Sequence, residues 1–552
     1  MAGERRYLGL YGRPLSLAIS TICTVGFLLF GYDQGVMSGL ITHPNFNSTF
    51  PATRDNSTMQ GLVTALYEIG CLAGAMFILF FGDVVGRKKG IMGGAAIMIL
   101  GTIVQVTSFG SLAQFIVGRI VTGVGNGMNT SCIPTYQAEC ANTKNRGLLI
   151  CIQGGVIAFG TLISYWLNYG VTQYETSFSW RFPIAFQIVF GLVILFGMAG
   201  LPDSPRWLLS CGRDEEGTAV IAAIYGHTID AHETQLHKRI ILESIAASTT
   251  TSTDGKSHVT PFSELITNGK TQHFRRMLLG ASSQLMQQVG GCNAVIYYFP
   301  ILFQSSIGQS RHSSLVMGGV NMIVYSIFAT MSWFIIERVG RRKLFLWGTV
   351  GQMAGMIITF AGLIPGTPNA AKGAAAGLFV YIAAFGASWL PLPWLYPAEI
   401  NPLRTRAKAN AVSTCTNWAF NFLIVLVTPI MVDRIGWGTY LFFACVNACF
   451  LPVIYIWYPE TRKRSLEEID IIFAKGYCEN ISYVRAAKEL PLLSSEEVEE
   501  MALRYGAGVD DGHRAIAAAS RTNSGRLVKG DESPQAPSTE ELEKVRGFDP
   551  KA

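Results

Sequence analysis

Long apolar runs alternate with short polar segments along most of the chain. Each run reaches about 20 residues, the length a helix needs to cross the hydrocarbon core of a bilayer. Twelve are expected as transmembrane helices, at 15–40, 60–81, 90–109, 112–136, 147–169, 182–201, 277–304, 314–336, 343–364, 374–397, 408–431 and 438–458. A polar stretch over 202–276 separates six from six. It reads as partly helical ("EEGTAVIAAIY", "LHKRIILESI") and partly loose ("STTTSTDGKS"). The expected fold class is therefore all-α integral membrane. Its organisation is an N-terminal segment 1–14, a six-helix half 15–201, a linker 202–276, a second six-helix half 277–458 and a tail 459–552. From about residue 476 the tail is charged, rich in Ser and Ala and poor in aromatics, so it is expected to be largely disordered.

Composition agrees with the pattern. The 552 residues are 49% hydrophobic and only 14% charged, against about 25% charged in an average soluble protein. The net charge of +6 is modest, and no basic stripe points to nucleic acid. The placement of the basic residues orients the spans. Arg87, Lys88 and Lys89 follow the second span, Lys144 and Arg146 the fourth, Arg341, Arg342 and Lys343 the eighth, and Arg404, Arg406 and Lys408 the tenth. The alternate loops carry few, so both termini are expected in the cytoplasm. The first outer loop then holds two N-x-S/T sequons, at Asn47 and Asn56, as expected glycosylation sites. The 11 Cys form no C-x-x-C pair, and no metal site is expected. "DGKS" at 254–257 resembles a phosphate-binding loop, but Thr250 stands where its first Gly is needed, and an enzyme is not expected.

The halves repeat. "GDVVGRKK" carries Asp83 and Arg87; "IERVGRRK" carries Glu337 and Arg341 at the same spacing. Glu139 precedes Arg146 by seven residues, as Glu399 precedes Arg406, and "PDSPR" at 202–206 is echoed by "PETRK" at 459–463. Three matches in register indicate a duplicated six-helix unit, an architecture used by transporters. These acids and guanidinium forks are candidates for a cytoplasmic gate that latches the halves together. Positive-inside topology alone would account for the basic residues, but not for the paired acids.

The motifs "GDVVGRKK", "PTYQAE", "PDSPRWL", "QQVGGCNAVIYY", "ERVGRR", "PLPWLYPAEI", "TNWAFNF" and "PETRKRSLEEI" extend over most of the chain. Through them the sequence resembles the sugar porter family of the major facilitator superfamily. "RGLLICIQGGVIAFGTLISYWLNYG" is similar to a fungal branch of monosaccharide transporters and glycerol–proton symporters. The resemblance implies transport of a small sugar or polyol across the plasma membrane by a monomer, with no cofactor beyond a coupling proton.

A sugar offers many hydroxyls and an apolar face, so its site needs donor–acceptor side chains and an aromatic platform. In the seventh span, Gln287 and Gln288 precede Gly290 and Gly291, which permit a helix break, and Asn293 and Tyr297 follow. Broken helices line transporter sites, although such amides can also join helices. In the eleventh span Asn417 and Asn421 share a face, and Trp394 and Trp418 are candidate platforms. The resemblance aligns Gln287, Gln288, Asn293, Trp394, Asn417 and Asn421 with sugar-contacting positions. Three departures stand out. The family's fifth-span Gln falls at Gln153, one residue early; Tyr325 holds the eighth-span Asn position, with Asn321 one turn before it; and an acid of the tenth span is missing near Gly386. They keep a smaller polyol open as an alternative to a hexose or pentose.

Asp33 is the only acidic or basic residue between Leu15 and Thr42. An acid at mid-membrane costs roughly 2.5–3.5 kcal/mol on insertion scales. Gly31, Gly35 and Gly39 offer a packing face on the other side of the helix, so Asp33 must meet a cavity or another helix. Arg119, in the fourth span, lies at the same depth, ~10 Å from the outer end at ~1.5 Å per residue. An Asp33–Arg119 ion pair follows, either as a permanent brace or as the proton-coupling switch that the family resemblance implies. A facilitative uniporter and a transporter-like nutrient sensor remain as other readings of the same fold.

Overall fold

The computed structural model describes residues 7–505 apart from 142–145, 173, 248, 252–256, 260–261 and 403. Six long helices form the first half: α1 (Arg13–Leu40), α3 (Ser57–Val85), α4 (Arg87–Val106), α5 (Leu112–Cys140), α6 (Arg146–Val171) and α7 (Phe178–Gly200), with the short α2 (Pro44–Thr49) between α1 and α3. The linker contributes α8 (Pro205–Ser210), α9 (Asp214–Tyr225) and α10 (His232–Ala247). The second half is α11 (His273–Val289), α12 (Cys292–Ile301), α13 (Arg311–Val339), α14 (Arg341–Leu363), α15 (Pro368–Ala384), α16 (Leu392–Ile400), α17 (Arg406–Ile435) and α18 (Gly438–Trp457). Counting α11–α12 and α15–α16 as one broken span each gives the expected twelve.

Among the described residues, nine spans are long and apolar enough to cross a membrane by length and composition alone. The other three are α5, α6 and α11–α12. Side chains such as Asn126, Asn129 and Glu139 dilute the hydropathy of α5, and the seventh span is interrupted as its glycines suggest. Gly290 ends α11, and Gly291 takes φ +99°, a region open to glycine without strain. The tenth span departs from a continuous helix. A π turn at Phe385–Trp389 gives way to Pro391 and Pro393, whose missing N–H groups stop the helical ladder.

Helices of the first half meet through small residues. A Cβ at Gly31 would lie 1.9 Å from the carbonyl oxygen of Ile157, and one at Gly35 the same distance from Ser164 Oγ. The predicted glycine face of α1 therefore sits directly on α6. The halves join where α3 packs on α17, α6 on α13 and α1 on α12. Large apolar side chains such as Phe80, Leu100, Phe196, Trp347 and Tyr455 point outward, as a lipid-facing belt requires.

Two regions differ from expectation. The "STTTSTDGKS" segment carries one short hairpin, Thr249–Thr251 paired antiparallel with Ser257–Val259, the only strand pair among the described residues. The tail does not become irregular at residue 476. It continues through α19 (Leu466–Cys478), α20 (Tyr483–Glu489) and α21 (Ser495–Tyr505). Charge misled here, because Ile471, Ile472, Ala486 and Leu490 bury a small core of their own. Ser465 and Glu468 form a capping box at the start of α19, and Asp470 pairs with buried Arg276 of α11 at 2.6 Å. Residues 506–552 lie outside the described residues.

Candidate functional site

Asp33 is fully buried on α1. Its Oδ2 accepts a hydrogen bond from the Tyr67 hydroxyl of α3 at 2.9 Å, while Oδ1 has no partner. Arg119, equally buried on α5, lies over the Tyr67 ring at 4.6 Å and donates from Nη2 to the Thr64 carbonyl at 3.3 Å. Its Nε and Nη1 have no partner. The expected direct Asp33–Arg119 ion pair is therefore not formed. Matching depth puts two groups on one level of the membrane but says nothing of what stands between them, and Tyr67 stands there. Its hydroxyl holds the acid and its ring face holds the cation.

The next residue, Glu68, escaped the sequence reading. It is fully buried and accepts from Tyr297 at 2.5 Å and from Asn421 Nδ2 at 3.0 Å. The signal was the one that exposed Asp33: a lone acid in an apolar run, "LVTALYEIGCLAGAMF".

Between the halves lies a narrow cavity. Gln287, Gln288, Asn293, Trp394 and Asn417 line it, as expected. Tyr325, which holds the eighth-span Asn position, lines it too, as do Phe30, Gln34, Ile157 and Phe385, which sequence reasoning did not select. The amides bond to one another. Asn417 Nδ2 donates to Gln284 at 2.5 Å and to Gln287 at 3.0 Å; Gln288 donates to Gln287 at 3.2 Å; Asn293 donates to Gln288 at 2.5 Å and to Asn421 at 2.6 Å. Each group can donate and accept, so hydroxyls of a substrate can take over these bonds without leaving a buried amide unpaired.

Five candidates sit elsewhere. Gln153 turns away to bond Gln137, and Gly154 beside it faces Pro391. Tyr297 and Asn421 engage Glu68 rather than the cavity. Trp418 packs edge-on against Phe30 at 5.3 Å, beneath the lining. Asn321 is buried with both amide atoms unpartnered. Of the two candidate platforms only Trp394 reaches the cavity wall, where it meets Phe27 and Phe30 edge-on at 6.4 and 6.5 Å.

The expected gate residues gather in two clusters at the end of the bundle that carries the basic loops. Arg87 pairs with Asp83 at 2.9 Å and with Glu139 at 3.2 Å, and Ser204 donates to Glu139 at 2.5 Å. Arg341 pairs with Glu337 at 2.7 Å and Glu399 at 2.6 Å, and Thr461 donates to Glu399 at 2.6 Å. Each cluster ties helices of its own half; these pairs do not latch one half to the other. The seven-residue Glu–Arg spacing is not the pairing rule either, because Glu399 binds Arg341 while Arg406 Nε donates to the Asn401 carbonyl. The side chain of Arg146 lies outside the described residues.

Asn47 and Asn56 occupy the segment between α1 and α3, at the opposite end. Asn47 Oδ1 accepts from Thr53 at 2.8 Å, and exposed Asn56 caps α3 through Met59 N at 3.0 Å. Among the described residues no cluster of three or more His, Cys, Asp or Glu is disposed to hold a metal ion.

Comparison with known proteins bears on this geometry. The family model described as "Sugar (and other) transporter" matches residues 19–473. The chain is 44% identical to the sugar transporter STL1 of Saccharomyces cerevisiae over 91% of its own length and 89% of that protein. It is 45% identical to the major facilitator superfamily transporter mfsA of Aspergillus fumigatus, over 91% and 94%. Its fold is similar to that of the proton:xylose symporter XylE bound to 6-bromo-6-deoxy-D-glucose, with a TM-score of 0.71, 24% identity, and coverage of 84% of this chain and 100% of that one.

Proposed function

The chain belongs to the sugar (and other) transporter family, and from that premise we propose that it imports a monosaccharide, hexose or pentose, by proton symport through alternating access. It is a membrane carrier of the major facilitator superfamily, not an enzyme. The end with the basic loops and both termini faces the cytoplasm, and the sequon segment faces outward, at the plasma membrane. The carrier works as a monomer.

The observation that carries the coupling is the buried Asp33–Tyr67–Arg119 arrangement beside the amide-lined cavity. An ionised Asp33 is drawn towards Arg119 across the Tyr67 ring. A protonated Asp33 releases that attraction, and its unpartnered Oδ1 is the atom that takes the proton. With the proton loaded from outside, α1 is free to move against α3 and α5. Substrate hydroxyls then replace the amide–amide bonds, and Trp394 covers the apolar face of the ring. Rocking of the halves exposes the site inward, where Asp33 gives up its proton. Each proton moved down 100 mV supplies ~2.3 kcal/mol, enough for roughly fifty-fold accumulation.

The test is uptake in cells lacking their own sugar carriers, with a panel of glucose, xylose, galactose and glycerol, with and without a protonophore. Asp33→Asn should abolish uphill accumulation and keep exchange of labelled for unlabelled substrate. A variant that still concentrates substrate sinks the coupling. A polyol such as glycerol is the second reading, favoured by Tyr325 and Phe385, whose rings take up space at the cavity wall.

A further inference from the structure

The symport reading leaves one buried carboxylate unused. Both oxygens of Glu68, on α3 of the first half, are held by groups of the second: Tyr297 on α12 and Asn421 on α17. Asn421 Oδ1 accepts from Asn293, and Asn293 also donates to Gln288 in the cavity wall. A relay of amides therefore runs from the substrate cavity and ends on the Glu68 carboxylate. On its other side Glu68 adjoins Tyr67, which holds Asp33.

The same stretch seals the sequon end. A Cβ at Gly61 would lie 2.5 Å from the Leu426 carbonyl oxygen, and Ser57 donates to Asp433 at 3.2 Å. Helix α3 cannot part from α17 without breaking the Asn421–Glu68 bond, nor from α12 without breaking the Tyr297–Glu68 bond.

Charged and polar groups of four helices surround Glu68. The groups that face it are Asp33 on α1, Tyr67 and Cys71 on α3, Arg119 on α5, and Tyr297 and Tyr298 on α12. Glu68 has a donor at each oxygen, whereas Asp33 has one bare oxygen. Glu68 is thus fixed as an acceptor at both oxygens, one bond to each of two helices of the other half.

We infer that Glu68 is a positioning residue whose carboxylate latches α3 to α12 and α17 midway through the membrane and, through Asn421, orients Asn293 for the substrate. The inference rests on the cavity being the substrate site, but not on proton coupling.

Glu68→Gln tests it. The new amide can accept from Tyr297 only by turning its N–H group towards the N–H group of Asn421. Asn421 must then flip, which sets its N–H against that of Asn293. Counterflow of labelled glucose, xylose and glycerol, which needs no proton gradient, should show KM raised about 10- to 100-fold, with maximal rate nearly unchanged. The double variant Glu68→Gln with Asn421→Asp restores a matched donor and acceptor at every contact, and KM should return towards that of the parent. An unchanged KM in the single variant, or no recovery in the double, overturns the inference. Hydrogen exchange on the purified protein gives a second readout without substrate. Amides of 57–68 and 421–435 should exchange faster in Glu68→Gln and recover in the double variant; identical exchange overturns the latch. Loss of accumulation in Asp33→Asn is scored separately, so either idea can fail alone.

Discussion

The two halves of the carrier agree at one end and part company at the centre. At the basic end, Arg87 and Arg341 each grip an acid one turn earlier in their own sequence and a glutamate from a neighbouring helix. Ser204 and Thr461 each add a hydroxyl to that glutamate. Asp203 accepts a backbone N–H at the start of α4, from Lys88 at 3.1 Å, and Glu460 one at the start of α14, from Arg341 at 2.8 Å. Midway through the membrane the likeness ends. The first half places Asp33, Glu68 and Arg119 there, and the second places the amides Gln284, Gln287, Gln288, Asn293, Asn417 and Asn421. Duplication preserved the contacts that close a helix turn at the membrane surface, a problem common to both halves. In the centre the halves differ, one placing charged groups there and the other amides.

That division is most exposed to test at the centre. Asp33→Asn should drop the accumulation ratio from roughly fifty-fold towards one, with KM for exchange little altered. Gln287→Ala should do the reverse. It removes a donor to the Trp389 carbonyl and an acceptor for Asn417, so KM should rise about tenfold while the accumulation ratio at saturating substrate stays. Uptake and counterflow in the same cells read both quantities. If Gln287→Ala destroys accumulation at saturation, recognition and driving force are not divided between the halves.

The basic ends should respond alike, with a smaller and graded effect. Lysine keeps the charge but not the guanidinium fork. Arg341→Lys should destabilise the carrier by about 1–3 kcal/mol, as loss of charge-assisted hydrogen bonds implies. Arg87→Lys should cost less, because its side chain is 16% exposed against 6% for Arg341. Thermal unfolding in detergent ranks the two, and the reverse order would show that burial does not set the difference.

Most of the frame is legible in the sequence because a bilayer leaves few choices. Run length sets the spans, three repeated motifs set the duplication, and Gly290–Gly291 marks the break in the seventh span. Four of the cavity residues, Gln287, Gln288, Asn293 and Asn417, follow from polar side chains in apolar runs. What stays hidden is lateral order. Helical spacing gives the depth of Asp33 and Arg119 but not the Tyr67 ring between them. Motif spacing pairs Glu399 with Arg406, whereas packing delivers Arg341. Gln153 and Asn421 satisfy the composition of a sugar site, but their side chains turn to Gln137 and Glu68. The folded part of the tail was missed for another reason: its core is small and its flanks are charged, and average composition conceals both.

The finest distinction between the basic ends lies in two hydroxyls that look equivalent. Thr461 Oγ1 makes one bond, to Glu399. Ser204 Oγ makes two: it donates to Glu139 and accepts from Trp207 N at 3.2 Å, capping α8. Removing Thr461 Oγ1 should cost about 1 kcal/mol, the usual net value of one hydrogen bond. Removing Ser204 Oγ adds the loss of a helix cap, typically another ~1 kcal/mol, though α8 is short and Pro205 already fixes its first turn. Ser204→Ala should therefore unfold at lower temperature than Thr461→Ala. Transport by the two variants should be nearly the same, since each cluster ties helices within one half and neither hydroxyl reaches the cavity. Equal unfolding temperatures would mean that the cap contributes nothing beyond the proline. A transport defect in Ser204→Ala alone would mean that the first-half cluster takes part in the rocking motion, and that the two ends are less alike than their contacts.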